Sequence, residues 1–267
     1  MSAVMVGLIV CLVVCVITWV GSVATKDYSW VDRLWSIIPV VYAWIWVGFS
    51  GASNATLTIM AVLITLWGAR LTFNFARRGG YSGYEDYRWP VLRAGMKPWQ
   101  FQVFNVLFIV IFQNFLLWSI TFPMWTIADH AGDGLNAGFI ICAVLFVLAL
   151  IGETTADQQQ WKFQNRKKAA IAAGQRPESN FCQSGLFAVS RHPNYFFELA
   201  QWWLVFLMAV AVVGSLWQWT VVGVVVLTGL FVGSTRFTEQ ISRGKYPEYA
   251  DYQKRVSAVI PFPARKG

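Results

Sequence analysis

Charged side chains are scarce in this 267-residue chain, 13% of residues against 57% hydrophobic. The segments outside its apolar runs are too short to build a second core, which predicts one membrane domain over 1–267. Cysteine is sparse as well. Cys11, Cys15 and Cys142 lie in apolar stretches and Cys182 in a loop, with no CxxC pair. Neither a disulfide framework nor a zinc site is indicated, and no metal is expected. A basic start is missing too: Met1 to Ala3 carry no Lys or Arg. The first apolar stretch is also long for a signal sequence, so it reads as a retained helix. No internal repeat is present, which speaks against the inverted-repeat design of transporters.

What the chain has in plenty is apolar length. Seven stretches, at roughly 3–22, 34–50, 55–76, 100–126, 134–156, 196–213 and 216–235, are each long enough to cross a bilayer as a helix. The fold class that follows is an all-α integral membrane protein with seven transmembrane helices in a lipid bilayer. Threaded alternately, these spans collect all 21 Lys and Arg on one side and leave none in 51–54, 127–133 or 214–215. Arg70 alone lies inside a span, about two turns from that same end at ~1.5 Å per residue. Positive charge is retained in the cytoplasm, which predicts an external N-terminus and a cytoplasmic tail over 236–267. A net charge of +8 does not imply nucleic acid here, because the bases interleave with acids beside the spans. Orientation accounts for most of them, and anionic lipid or a phosphorylated cofactor for the surplus. Trp99, Trp118, Trp125, Trp202, Trp203, Trp217 and Trp219 fall near span ends, as an interfacial belt requires.

Polar residues gather in a few places. Glu153 and Asp157, four apart, stack on one face of span five. Carboxylates at that depth face a protein interior or a wet cavity, unless Asp157 is interfacial and Glu153 simply pairs with Arg70 or Arg191. Pro193 suits the first turn of span six. Asn194, Glu198 and Gln201 follow at i, i+4 and i+7 as one polar stripe. A helix start flanked by Arg191 and His192 also favours phosphate. Lys162 to Ala173 lacks Gly and Pro and extends span five as a helix, until Gly174 and Pro177 stop it. In the tail, Arg236 and Glu239 share a face, while Tyr246, Tyr249 and Tyr252 suit either a small lid or an amphipathic segment on the headgroups.

Arg70, Asn74 and Arg77 align at i, i+4 and i+7 on span three, and Arg70 is deep enough to require a carboxylate or phosphate partner. The glycine-rich stretch from Gly79 to Gly83 follows a membrane helix and lacks GxGxxG, so it is no Rossmann loop. Asp32, just before span two, reads as an acid at a cavity mouth or as a helix N-cap, and the cap is the simpler reading. Tyr42, deeper in the same span, offers a hydroxyl to a ligand or to a neighbouring helix.

Gly185-Leu186-Phe187, Pro193-Asn194-Tyr195, Glu198 and Trp202, with a tail carrying Tyr252 and Ile260-Pro261-Phe262, form a combination that resembles the steroid 5-alpha-reductase family, its bacterial branch most closely. The similarity is strongest from span five to the tail and fainter over spans one to four. It implies an enzyme of the bacterial inner membrane that holds NADPH at the cytoplasmic ends of its helices. The implied reaction is reduction of a carbon–carbon double bond conjugated to a ketone. Cofactor contacts are implied at Arg191, His192, Asn194, Tyr195, Glu198, Trp202, Arg236, Glu239 and Tyr252. Lys162 and Arg166 match the family's bases after span five, and Arg78-Gly79 its Arg-Gly after span three, with Arg70 and Asn74 close by. Glu153 and Asp157 stand where the family has Asn and Asp, and the histidine pair of animal members is replaced around Glu239 and Gln240. The family's substrate-gripping Glu on span two and Tyr on span three are not preserved as such. Asp32 is the candidate for the acid and Tyr87 for the phenol.

On that reading hydride reaches the β-carbon of a 3-oxo-Δ4 steroid or similar lipophilic enone. A donor at the ketone then stabilises the enolate. Arg-His-Pro followed by an aromatic also resembles the integral-membrane isoprenylcysteine carboxyl methyltransferases, which use S-adenosylmethionine. A small transporter ranks third, because only Gln113, Asn114 and Glu153 run deep.

Overall fold

The computed structural model describes residues 1–51, 54–130 and 134–265. Lys266 and parts of the base-free loops at 51–54 and 127–133 lie outside the described residues. No strand occurs among the described residues, and seven helices are long and apolar enough to cross a membrane. A helix satisfies its own backbone polar groups, which is why apolar runs of this length take that form in lipid.

The first span is α1 (Ala3–Thr25), capped by Ser2, whose side chain accepts from the Met5 N–H at 3.2 Å. The second divides into α2 (Trp30–Trp35) and α3 (Ile38–Ser50). The third, α4 (Ala55–Arg77), is capped by Asn54, which accepts from the Leu57 N–H at 3.1 Å. A short helix, α5 (Arg88–Ala94), precedes the fourth span. That span runs through α6 (Pro98–Phe104), a π-helical run (Asn105–Phe112), α7 (Gln113–Ser119) and α8 (Phe122–Ala128). The fifth is α9 (Ala137–Ala172), the sixth α10 (Pro193–Val213) and the seventh α11 (Val221–Lys245), with a tail helix α12 (Tyr249–Arg255).

The π-helical run has a specific consequence. Asn105 and Asn114 are nine positions apart, which places them on opposite faces of a regular helix of 3.6 residues per turn. The wider π turns absorb that half rotation. Both amides therefore reach α1, Asn105 Nδ2 donating to Ser22 Oγ and Asn114 Nδ2 to Thr18 Oγ1, each at 3.0 Å.

Hydropathy located all seven spans, yet it measured apolar length rather than helix length. The helix α9 has 36 residues, about 54 Å at 1.5 Å per residue, well beyond the ~30 Å of a hydrocarbon core. Its polar extension beyond Lys162 is the one expected, and Gly174, at φ +71°, follows its end. The helix α11 likewise continues ten residues past the expected end of span seven. The belt reading fails for Trp118 and Trp202, which are buried inside the protein. It suits Trp99, Trp217 and Trp219, which are exposed.

Two compact units divide the chain: Met1–Val144 with Trp203–Leu227, and Leu145–Trp202 with Thr228–Gly267. The division passes through α9, α10 and α11, so each of these helices contributes residues to both units.

Candidate functional site

In the second unit Glu153 and Asp157 are buried one turn apart on α9, at 3% and 4% exposure. Gln201 on α10 donates Nε2 to Glu153 Oε2 at 2.6 Å. Pro193 opens α10 as its position requires, and the stripe behind it points inward: Glu198 and Gln201 are buried and Asn194 half-buried. Trp202 Nε1 donates to Glu198 Oε1 at 3.2 Å. Tyr195 stacks on His192, ring centroids 5.2 Å apart.

Glu239 is the hub of this unit. Arg191 donates Nε to its Oε1 at 2.5 Å and Nη2 to its Oε2 at 3.0 Å. His192 Nε2 lies 3.3 Å from Oε1, and Gln253 Nε2 donates to Oε2 at 2.8 Å. Arg191 also donates Nη1 to the carbonyls of Gln253 and Val256. One guanidinium thus ties the start of α10 to α11 and to the end of α12.

The tail is folded back onto its own unit. The N–H groups of Arg191 and His192 donate to the carbonyls of Ser257 and Ala258 at 2.9 and 3.0 Å, and Phe262 N–H to Val189 O at 3.0 Å. Tyr249, Tyr252 and Val256 pack with Phe181 and Tyr246, and the Tyr252 hydroxyl donates to Phe187 O. Burial pushes the Tyr252 phenol, and likewise the Cys182 thiol, above its usual range. Burial acts the same way on Tyr246, but Lys167, bonded to its hydroxyl at 3.0 Å, and Lys245 outweigh it and lower that phenol. The Gly185-Leu186-Phe187 motif has a local reason. Gly185 sits at φ +65°, where a Cβ would run into the Gln159 side chain, and Gln159 Oε1 accepts from the Leu186 N–H at 2.9 Å.

Arg236, Glu239, Gln240, Arg243 and Gln253 line an open groove of about 250 Å³. Arg236 and Arg243 stand two turns apart on one face of α11. Gln240, Arg243 and Gln253 are absent from the sequence-derived set, although the i+7 spacing from Arg236 pointed to Arg243. Lys162 and Arg166 are exposed on the α9 extension. The base from that stretch that is tied down is Lys167, whose Nζ donates to Asn180 O at 2.6 Å. Elsewhere in the second unit three buried acceptor or hydroxyl atoms, Gln160 Oε1, Gln201 Oε1 and Thr235 Oγ1, have no hydrogen-bond partner among the described residues. Guanidinium groups and unsatisfied amide and hydroxyl oxygens in one unit suit a ligand that carries phosphates together with N–H or O–H donors.

The remaining candidates belong to the first unit. Asp32 is not the cap of its helix: Ser29 holds that position, and Asp32 sits in the first turn of α2. Trp89 Nε1 donates to Asp32 Oδ2 at 2.8 Å, and Arg88 Nη2 lies 3.8 Å from Oδ1. Arg88 Nε donates to Asp86 Oδ1 at 2.7 Å, and Asp86 N–H to Ser29 Oγ at 2.8 Å. Glu85 accepts from the Tyr28 N–H at 3.1 Å and from Arg93 Nη2 at 3.2 Å. Asp32 therefore helps to fasten the 80–94 segment over Tyr28, Val31 and Phe101. Tyr87 lies at the rim of this knot, half-exposed. Asn74 is buried and accepts from Arg77 at 2.9 and 2.7 Å, Arg70 is half-buried a turn away, and Arg78 is exposed. Burial raises the Tyr84 phenol in the same segment.

Such a molecule is a multi-pass, all-helical membrane protein whose second unit carries buried carboxylates and a basic groove. Residues 18–256 match the model of a protein family described as of unknown function, DUF1295, and the chain belongs to that family. It is similar to an uncharacterized protein of Schizosaccharomyces pombe (strain 972), 37% identical over 273 residues covering 96% of this chain and 79% of that protein. No solved structure matches it significantly. Among the described residues, no group of three or more His, Cys, Asp and Glu side chains could hold a metal ion.

Proposed function

We propose that this chain is a membrane-embedded, NADPH-dependent reductase of the carbon–carbon double bond in 3-oxo-Δ4 steroids or similar lipophilic enones. The observation that carries the reading is the groove of Arg236 and Arg243 beside the Arg191–Glu239 hub. The resemblance carried by Pro193, Asn194, Glu198, Trp202 and Tyr252 supports it from the sequence side. The two groove arginines would take phosphate, while Gln160, Gln201 and Thr235 would accept from ribose and amide groups. NADPH held there would supply the hydride for the β-carbon. The chain's own task is at the ketone, where negative charge builds as the double bond is lost. A preorganised donor against that oxygen is worth roughly 3–4 kcal/mol. Of the two residues expected to act there, Asp32 is engaged by Trp89 and Arg88, and Tyr87 presents a half-exposed phenol. The α-carbon takes its proton from solvent or a side chain. The one-sided distribution of bases supports a cytoplasmic position for the groove.

The buried carboxylates Glu153, Asp157 and Glu198 favour a second reading, a methyltransferase of the isoprenylcysteine type whose cofactor is a sulfonium cation. Equilibrium binding of tritiated NADPH and S-adenosylmethionine to detergent-purified protein separates the two. NADPH binding, with steroid-dependent loss of its absorbance, is the expected result. Methyl-donor binding without nicotinamide binding would remove the reductase reading.

A further inference from the structure

The first unit buries a second group of polar atoms that the reading above does not use. Tyr42 is 1% exposed, Asn105 and Asn114 are 0% exposed and Trp118 is 5% exposed. The Trp118 indole N–H and the Oδ1 atoms of Asn105 and Asn114 lack a hydrogen-bond partner among the described residues, and the Tyr42 hydroxyl has the weakly accepting Cys11 thiol beside it. The Asn side-chain nitrogens are committed to Ser22, Thr18 and the Val110 carbonyl, so their oxygens cannot be satisfied by exchanging the two ends of the amide. Tyr42 and Trp118 are neighbours, ring centroids 6.3 Å apart and tilted by 43°. Trp118 also lies against Gly7 of α1, where any Cβ would meet the indole nitrogen.

Unmet polar groups are expensive at such depth, where no bulk water reaches them. Two of these atoms are donors from neighbouring rings, set among aromatic side chains and the Cys11 and Cys15 thiols. An oxygen that only accepts satisfies two donors at once, as a ketone does. We propose that Tyr42 and Trp118 hold the carbonyl oxygen of a lipophilic ligand inside the first unit. The proposal takes its ligand class from the reductase reading and its location from these contacts. It assigns the ketone to Tyr42 and Trp118 instead of Asp32 and Tyr87. The Asn105 and Asn114 oxygens would then accept from a hydroxyl on the same ligand or from a trapped water.

The test uses the full-length protein in nanodiscs without cofactor, so that no turnover is needed. A tritiated 3-oxo-Δ4 steroid and its 3-deoxy counterpart are titrated against wild type, Tyr42→Phe and Trp118→Phe, with thermal unfolding followed for each. The ketone should bind tighter than the deoxy compound to wild type. Each variant should lose about tenfold in ketone affinity, the usual worth of one such hydrogen bond, with deoxy affinity unchanged. Equal binding of the two steroids to wild type, or no ketone binding at all, overturns the proposal. So does unchanged ketone affinity in a Tyr42→Phe protein that melts as wild type. Ketone binding through Tyr42 without any NADPH oxidation would sink the reductase reading and leave this site standing. Steroid-dependent NADPH oxidation indifferent to Tyr42→Phe would do the reverse.

Discussion

Arg191 and Glu239, 48 positions apart in the chain, meet side-on through two hydrogen bonds of 2.5 and 3.0 Å. Both side chains are about nine-tenths buried. Pairs of this kind rarely add much over an apolar pair of the same shape, but removing one partner strands the other. Arg191→Ala should therefore destabilise the protein by about 3–5 kcal/mol. Glu239→Gln keeps acceptor and donor capacity toward Gln253 and His192 and should cost less. Thermal unfolding in detergent orders the two variants, and limited proteolysis should find the tail beyond Lys245 released first in Arg191→Ala. A tail equally protected in both proteins would mean that the aromatic packing of Tyr249 and Tyr252 holds it unaided.

The Asp32–Trp89 hydrogen bond makes a prediction that separates fastening from catalysis. Asp32→Ala should expose the 80–94 segment to trypsin at Arg88 and Arg93 and lower the melting temperature. Asp32→Asn retains an acceptor for the Trp89 indole, and it should restore most of the protection. A loss of steroid reduction in Asp32→Asn, with protection intact, would assign the carboxylate a chemical role after all.

Apolar length and turn chemistry made the helical frame legible. Pro193 marked the start of α10, Gly174 the stop beyond α9, and the Asn194–Glu198–Gln201 spacing an inward face. Features that depend on a partner distant in sequence stayed hidden. Nothing in the neighbourhood of Arg191 says that its acid is Glu239, nor around Asp32 that Trp89 will bond to it. Asp32 has the right chemistry for a cap and lost that position to Ser29 by the register of a single helical turn. Trp118 and Trp202 sit where a belt residue should, and only packing shows that they face inward. The π-helical run leaves no mark in the composition of Asn105–Phe112, because the two amide contacts it permits are with the distant α1. Arg236 hid the last turns of α11 for a related reason: a charge marks the edge of the membrane but not the end of a helix.

The groove on α11 predicts cofactor discrimination. Arg236→Ala combined with Arg243→Ala should weaken NADPH binding roughly tenfold to a hundredfold, the range for losing charge-assisted hydrogen bonds. NADH has one phosphate fewer and should lose less. Titrations at two ionic strengths check the cause, since salt should weaken NADPH binding to wild type more than to the double variant. Identical losses for the two nucleotides would move the extra phosphate away from these arginines.

Gln201 and Glu153 offer the sharpest energetic test. Their 2.6 Å contact is buried, and the Gln201 amide oxygen has no partner among the described residues. Gln201→Leu removes a donor from a buried carboxylate, which should cost about 1–3 kcal/mol. Glu153→Leu leaves the Gln201 Nε2 its 3.1 Å bond to the Phe197 carbonyl and should cost no more than that. Replacing both with Leu removes the polar pair together, and the double variant should melt above the sum of the single losses. A coupling of roughly 0.5–3 kcal/mol in that cycle is the expected outcome for residues in direct contact. Strict additivity would show that Glu153 is held by other groups. In that case its burial has to be explained by those groups or by a ligand, and NADPH titration of Glu153→Gln would then decide between them.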